Sequence, residues 1–356
     1  MVTKKHMTVL SVVAIAFVPV YVSFSGAVVS EYRSAAADAP ERFIPLPSLD
    51  KADYDARLFA LAHVSTSTLA AEALATTTST STPRLWPAKA VYPEAGAILP
   101  FKRIVAYYGN FYSTKMGVLG EYSEDEVLAK LASTTKIWKA ADPMTPVLPA
   151  IQYIATVAQG SAGKEGKYIL RMPDEEIDKA LDMARRAHGI VILDVQVAQS
   201  TLPHELPMLE KYLSLPNVHL AIDPEFSMKF GDPPGRVIGT FDATDINYAA
   251  DYLAGLVQTY HLPPKILVVH RFTQAMVTGY KNIKPLPEVQ IVMDMDGWGS
   301  QAKKKGTYNR VIAPEPVQFT GIKLFYRNDL KPPSTGLLTT EEVLGLTPAP
   351  IYIQYQ

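Results

Sequence analysis

The chain has 356 residues, 48% of them apolar and 19% charged, with a formal net charge of -1 and no cysteine. That balance is globular and supplies no field for nucleic acid or an anionic membrane surface. Without cysteine there is no thiolate metal site, cysteine nucleophile, disulfide or lipid-modified cysteine.

Lys4, Lys5 and His6 precede an apolar run from Thr8 to Phe24, and Ser25-Gly26-Ala27 supplies small residues after it. Basic, then apolar, then small is the order of an export signal. Residues 1–27 are therefore expected to be a signal peptide, with an uncleaved N-terminal anchor as the alternative. Pro19 would kink a spanning helix, which favours cleavage. The protein is expected to be exported and to reside in the periplasm, the cell envelope or the medium. Residues 28–99 are rich in Ala, Pro, Ser and Thr and end in the tract Thr76 to Pro83. Such a tract cannot bury enough apolar surface to offset its ordering entropy, so 28–99 reads as a linker. Leu58, Leu61, Leu69 and Leu74, set among alanines, leave a helix over 55–74 open.

After Pro100 the texture changes. Eight short β-rich runs follow: Ile104–Tyr108, Val147–Ala155, Ile190–Val197, Val218–Asp223, Lys265–His270, Val289–Met295, Gly321–Tyr326 and Ile351–Tyr355. Between them lie helical stripes such as Ile177, Ala180, Leu181, Ala184 and Ile246, Ala249, Ala250, Leu253, Val257. Ser123 with Glu126 and Thr339 with Glu342 have the spacing of capping boxes. Alternation of eight strands with helices over 100–356 predicts a single α/β domain, a (β/α)8 TIM-type barrel, with an open doubly wound sheet as the alternative. The barrel is favoured by face parity. Val218, Leu220 and Ile222 share one face of their strand and His219, Ala221, Asp223 and Glu225 the other, so the apolar set meets the helices and the polar set points inward.

Three strands end in polar pairs two residues apart: Asp194 with Gln196, Asp223 with Glu225, and Asp294 with Asp296. At strand rise their Cα atoms stand roughly 6–7 Å apart on one face, close enough to reach one bound molecule. Neighbouring carboxyl groups raise each other's proton affinity, which yields one proton donor and one ionised group. Glycosidic cleavage needs that division. The structural alternative is that each Asp caps a following turn. Aromatic residues lie alongside: Tyr107, Tyr108, Tyr153, Phe226, Trp298 and Tyr326. Flat rings in a polar cleft suit the C–H faces of sugars, while core packing is the alternative for Tyr107 and Tyr326. Trp298, between Gly297 and Gly299, is expected to be an exposed platform. His270 and Arg271 end the fifth run and offer a base and an anion anchor. The glycine-rich stretch 159–167 matches no phosphate-loop fingerprint and reads as a loop or lid.

The string Leu220-Ala221-Ile222-Asp223-Pro224-Glu225 resembles the Asp-x-Glu that ends strand four in chitinase-like glycosidases and in family 25 lysozymes. Two earlier acids of the chitinase pattern fall on Val218 and Ala221, so half of that motif is present. Family 25 lysozymes also end in a Gln-Tyr pair, as Gln354-Tyr355 does, although their strand-one aspartate has no counterpart here. Leu193-Asp194-Val195-Gln196, Ala221 to Glu225 and Asp296 to Gly299 together resemble exported bacterial barrel proteins of unassigned activity. The resemblance implies Glu225 as general acid and Asp223 as its partner. Asp194, Gln196, Asp294, Asp296, Trp298, Tyr108, Tyr153, His270, Arg271 and Gln354 would then line the substrate cleft.

The expected function is glycoside hydrolysis on a cell-wall or extracellular polysaccharide, by a monomer without cofactor or metal. The alternatives are a non-catalytic glycan-binding barrel, or a metal-dependent hydrolase with Asp194, Asp223, Glu225, Asp294 and His270 around a hard cation.

Overall fold

A computed structural model of the chain describes residue 46 and residues 48–65 and 84–356. The expected signal segment and the Thr/Ser tract lie outside the described residues. Among the described residues no helix is long and apolar enough to cross a membrane.

Eight parallel strands form the barrel: β1 Arg103–Gly109, β2 Val147–Ala158, β3 Ile190–Val195, β4 Val218–Ile222, β5 Lys265–Arg271, β6 Val289–Met295, β7 Phe319–Leu324 and β8 Tyr352–Tyr355. Each pairs with the next, and β8 returns to β1 through Ile104 opposite Tyr352, so no sheet edge is left open. The closed barrel is the expected fold, and the open sheet is ruled out. All eight predicted runs are strands, displaced at their ends by no more than three residues. Short strands Ile169–Arg171 against β2, and Phe241–Asp242 against Val277–Thr278, lie outside the ring.

Both expected capping boxes form. Ser123 N donates to Glu126 Oε2 at 3.0 Å, and Thr339 and Glu342 exchange bonds of 2.9 and 3.2 Å. The apolar stripe on the helix Ala243–Tyr260 buries Ile246, Ala249, Ala250, Leu253 and Val257. Outward strand residues such as Leu193, Leu220, Ile222, Leu267 and Ile291 pack with these helical stripes in one core. The lower interior holds a second core, including Ile104, Ala106, Ala150, Ile192, Ala221, Val268, Val292, Phe319 and Tyr352.

The structured unit begins well before Pro100, which corrects the linker boundary at residue 99. Within the stretch expected to be a spacer, α1 (Lys51–Leu61) opens on the Asp50 side chain, which accepts from Asp53 N at 3.0 Å. Tyr54, with Leu58 and Leu61 one and two turns on, packs with Ile98, Leu99 and Phe101 against the lower interior. Gln290, inward-facing at the start of β6, accepts from Ile98 N and Leu99 N, both at 3.0 Å, and donates to Leu99 O at 2.6 Å. The physical reason is closure: an open barrel end would leave that apolar interior wet, and α1 with the Ile98–Phe101 segment stoppers it.

Leu99→Ala should therefore cost about 2–5 kcal/mol, the range for truncating a fully buried leucine. Thermal unfolding of this variant, and of a chain beginning at Pro100, checks the stopper. An unchanged melting temperature in both would remove it from the stable fold.

Candidate active-site cleft

Above the apolar interior the inward positions turn polar at the level where Gln152, Asp194, His270, Asp294 and Gln354 meet. All five are fully buried. Asp194 Oδ2 accepts from Gln152 Nε2 at 2.7 Å and from His270 Nε2 at 2.8 Å. The other ring nitrogen, Nδ1, stands 3.1 Å from Asp296 Oδ2 and 3.4 Å from Asp294 Oδ2, near enough for ion pairing. Burial alone lowers the proton affinity of His270. Asp194 and Asp296 outweigh it and hold the group protonated well above its ordinary range. Tyr352 donates its hydroxyl to Gln152 Oε1 and accepts from Gln354 Nε2 at 3.2 Å. Asp294 lies opposite Gly321 in the β6–β7 ladder. A Cβ on Gly321 would stand 2.7 Å from both Asp294 Oδ1 and the Tyr352 ring, so only glycine leaves room for the carboxyl.

One turn higher the barrel opens into a cleft of about 530 Å³. Tyr108, Gln196, Asp223, Glu225, Asp296 and Lys323 line its floor, and Phe226, Phe272, Trp298 and Phe325 add aromatic walls. Asp296 is flanked by two cations, His270 below and Lys323, whose Nζ lies 3.2 Å from Asp296 Oδ1. Burial opposes its ionisation, but Lys323 and His270 prevail and hold it below the usual carboxylate range. Glu225 is the reverse case. Its carboxyl has no hydrogen-bond partner among the described residues, and burial together with the charge of Asp296 pushes its proton affinity up. Asp223 is pushed higher still, by burial first, with His270 opposing and the neighbouring acids adding. Tyr108 keeps its proton because burial and the surrounding carboxylates raise its pKa.

Local structure explains how Glu225 is aimed. Asp223 caps the turn Pro224–Phe226 by accepting from Glu225 N at 3.0 Å, so the capping alternative holds for that residue. Its other oxygen faces Gln196 Nε2 at 3.5 Å. Glu225 O accepts from Gly239 N at 2.7 Å, and a Cβ at Gly239 would meet Pro224 O at 2.5 Å, fixing a glycine there. Trp298 is 48% exposed at the cleft mouth, as its glycine flanks suggested. Its loop is pinned by Lys304 Nζ to Gly297 O at 2.7 Å and by Gly299 N to Asp329 Oδ1 at 2.8 Å, with Lys304 and Asp329 themselves paired at 3.1 Å.

Two expected site residues lie elsewhere. Tyr153 faces outward, because Gln152 and Ile154 hold the inward parity of β2. Its ring stacks on Phe111 at 4.7 Å, and its hydroxyl accepts from Asn110 Nδ2. Arg271 follows inward His270 and so points out of the barrel. It donates to Gln274 O at 2.9 Å and Val277 O at 3.1 Å and pairs with Glu315, fastening the chain after β5. Gln354, Asp194 and Asp294 are inward but lie beneath the cleft floor. Tyr107 and Tyr326 are joined by hydroxyls 3.0 Å apart in the outer core. The glycine-rich stretch leaves β2 beside the cleft and is closed by Gln159 N to Tyr168 O at 2.8 Å. Sequence reasoning passed over Lys323 and Gln152. Each is an isolated polar residue at an inward strand position, and that was the available signal. Among the described residues no group of three His, Asp or Glu is arranged to hold a metal ion; His270 Nε2 is bonded to Asp194, and its Nδ1 faces Asp296 and Asp294 at ion-pair distance.

No protein-family model matches the sequence, and no curated protein matches it. Among solved structures, a hyperthermophilic endo-β-1,4-glucanase in complex with substrate is similar, at 11% identity and a TM-score of 0.39 over 72% of this chain and 89% of that one.

Proposed function

We propose that the protein is a carbohydrate-active barrel that hydrolyses glycosidic bonds in a cell-wall or extracellular polysaccharide. The observation that carries this reading is the opposite surroundings of two carboxyl groups in one cleft at the C-terminal end of the strands. Asp296 is clamped between His270 and Lys323, while Glu225 faces the cavity with no partner. Glu225 then supplies the proton to the leaving glycosidic oxygen as the C–O bond breaks, ionised Asp296 stabilises the positive charge developing on the sugar carbon, and a water that bonds to that carbon gives up the proton that restores Glu225. Asp223 acts behind Glu225 by fixing the turn that presents it. Trp298 offers its exposed ring to a sugar face at the mouth. The basic-then-apolar order of the N-terminus supports an exported protein that meets such polymers outside the cytoplasm.

Glu225→Gln should keep the shape of the site, preserve glycan binding and slow turnover on a cleaved polysaccharide by about 10²–10⁴-fold, the usual contribution of a positioned acid. Kinetics on a panel of glycans measures it, and full activity in the variant removes Glu225 from the chemistry. The wild-type profile should rise with pH as Asp296 ionises, below pH 3.8, and fall once Glu225 loses its proton, above pH 4.5, given the directions of their shifts. Lys323→Met removes a cation that favours the Asp296 carboxylate, so the acidic limb should move to higher pH. A limb that stays put or moves down contradicts the role given to Asp296.

Trp298→Ala should weaken glycan affinity by about 1–3 kcal/mol, the scale of a lost aromatic contact, with little change in melting temperature. A large loss of stability with unchanged affinity would make the ring structural.

A further inference from the structure

The cleft floor is acidic, yet its rim is not. Lys115, Lys303 and Arg310 line the mouth, all three exposed, and none pairs with a carboxylate among the described residues. Lys323 lies deeper and is already matched by Asp296 at 3.2 Å. The chain as a whole carries a formal charge of -1, so this concentration of uncompensated positive charge runs against the sign of the molecule. Cations around a concave, low-dielectric mouth focus their potential on whatever enters it. Lys303 also sits over the Trp298 ring, with Nζ 4.7 Å from the centroid. A sugar covering that ring displaces the ammonium sideways on its flexible stem, leaving it within reach of the sugar's own substituents.

We propose that the substrate is an anionic polysaccharide, whose sugar units carry carboxylate or sulfate groups that Lys115, Lys303 and Arg310 hold at the rim. The proposal rests on the glycan-hydrolase reading and adds the chemical class of the polymer. Anionic groups are held at the mouth, since ionised Asp296 would repel them on the floor. The cleaved unit is therefore flanked by charged units engaged outside the reaction centre. Exposed pairs of this kind are weak singly and are screened by salt, so they add selectivity through their number.

The test is calorimetric titration of the wild type and of a Lys115→Gln/Arg310→Gln double variant. The probes are an oligogalacturonate, a chondroitin sulfate oligosaccharide, and neutral cello- and chito-oligosaccharides of matched length, each at about 20 mM and about 200 mM salt. The wild type should prefer at least one anionic probe over both neutral ones at low salt, and high salt should erode that preference. Two lost charge contacts of about 0.5–0.7 kcal/mol each should lower the anionic-to-neutral affinity ratio about 5–10-fold in the double variant. Whether the carboxylated or the sulfated probe binds better identifies the group. Binding of neutral oligosaccharides with no anionic preference, or an anionic preference that the double variant keeps intact, overturns the anionic-substrate proposal and leaves the hydrolase reading standing. Binding of none of the four probes, together with no turnover on the glycan panel, overturns both.

Discussion

His270 sits fully buried at the centre of the barrel, with Asp194 on one ring nitrogen and Asp296 and Asp294 on the other. A lone imidazolium there would be expelled by desolvation, and two lone carboxylates would fare worse. Each is tolerable only because the others are present, which ties β3, β5 and β6 together at one height. The consequence reaches the cleft: Asp296, the uppermost member, has one oxygen turned toward His270 and the other toward Lys323. Its direction and its ionisation are thus set by His270 beneath it and by Lys323 beside it, whose ammonium also lies over the Tyr108 and Phe325 rings.

The surrounding architecture serves that cluster. Gly321 contributes by having no side chain where the Asp294 carboxyl must lie, and Gln152, locked by Tyr352, supplies a second donor to Asp194. At the other end of the molecule, Gln290 uses the same inward parity of β6 to hold the Ile98–Leu99 backbone. A single strand therefore anchors the stopper at its start and the charged clamp at its end. Pairing Gln290 with the stopper backbone and Asp296 with His270 and Lys323 along one strand demands one register, and that demand specifies the barrel more sharply than its interchangeable aliphatic residues do.

Strand alternation is why so much was legible in the sequence. Eight apolar runs with helical stripes between them left a barrel or an open sheet, and period-two parity favoured the barrel and sent Asp194, Asp223, Asp294 and Asp296 inward. The same rule, applied one residue further, would have placed Tyr153 and Arg271 outside, since each neighbours an inward residue. The sequence leaves a helix around Leu58 and Leu61 open, but its place in the domain was not legible, because its alanine-rich texture matches that of a spacer and its partners lie 40 to 300 residues away along the chain. Lys323 was overlooked for a different cause. A lone lysine in an apolar strand acquires meaning only when β6 brings Asp296 beside it.

The ionisation of this site also sets the pH range in which the fold favours it. His270 has a raised proton affinity in the folded chain, so its contribution is fully present below its unfolded value of about 6.5 and fades as pH rises through the folded one. Asp223, Glu225 and Asp294 are raised as well, and for a carboxyl group that again means a neutral form favoured by folding and a cost as pH climbs. Asp296 alone runs the other way, adding stability above its unfolded value and losing it as pH falls through the depressed folded one. Three buried acids and one histidine thus favour acidic conditions, with the Asp296 clamp setting the lower edge. In that window Glu225 carries a proton, Asp296 does not, and the network beneath them is intact. The pH at which the cluster is most stable is therefore the pH at which the proposed acid and its carboxylate partner hold the right charges.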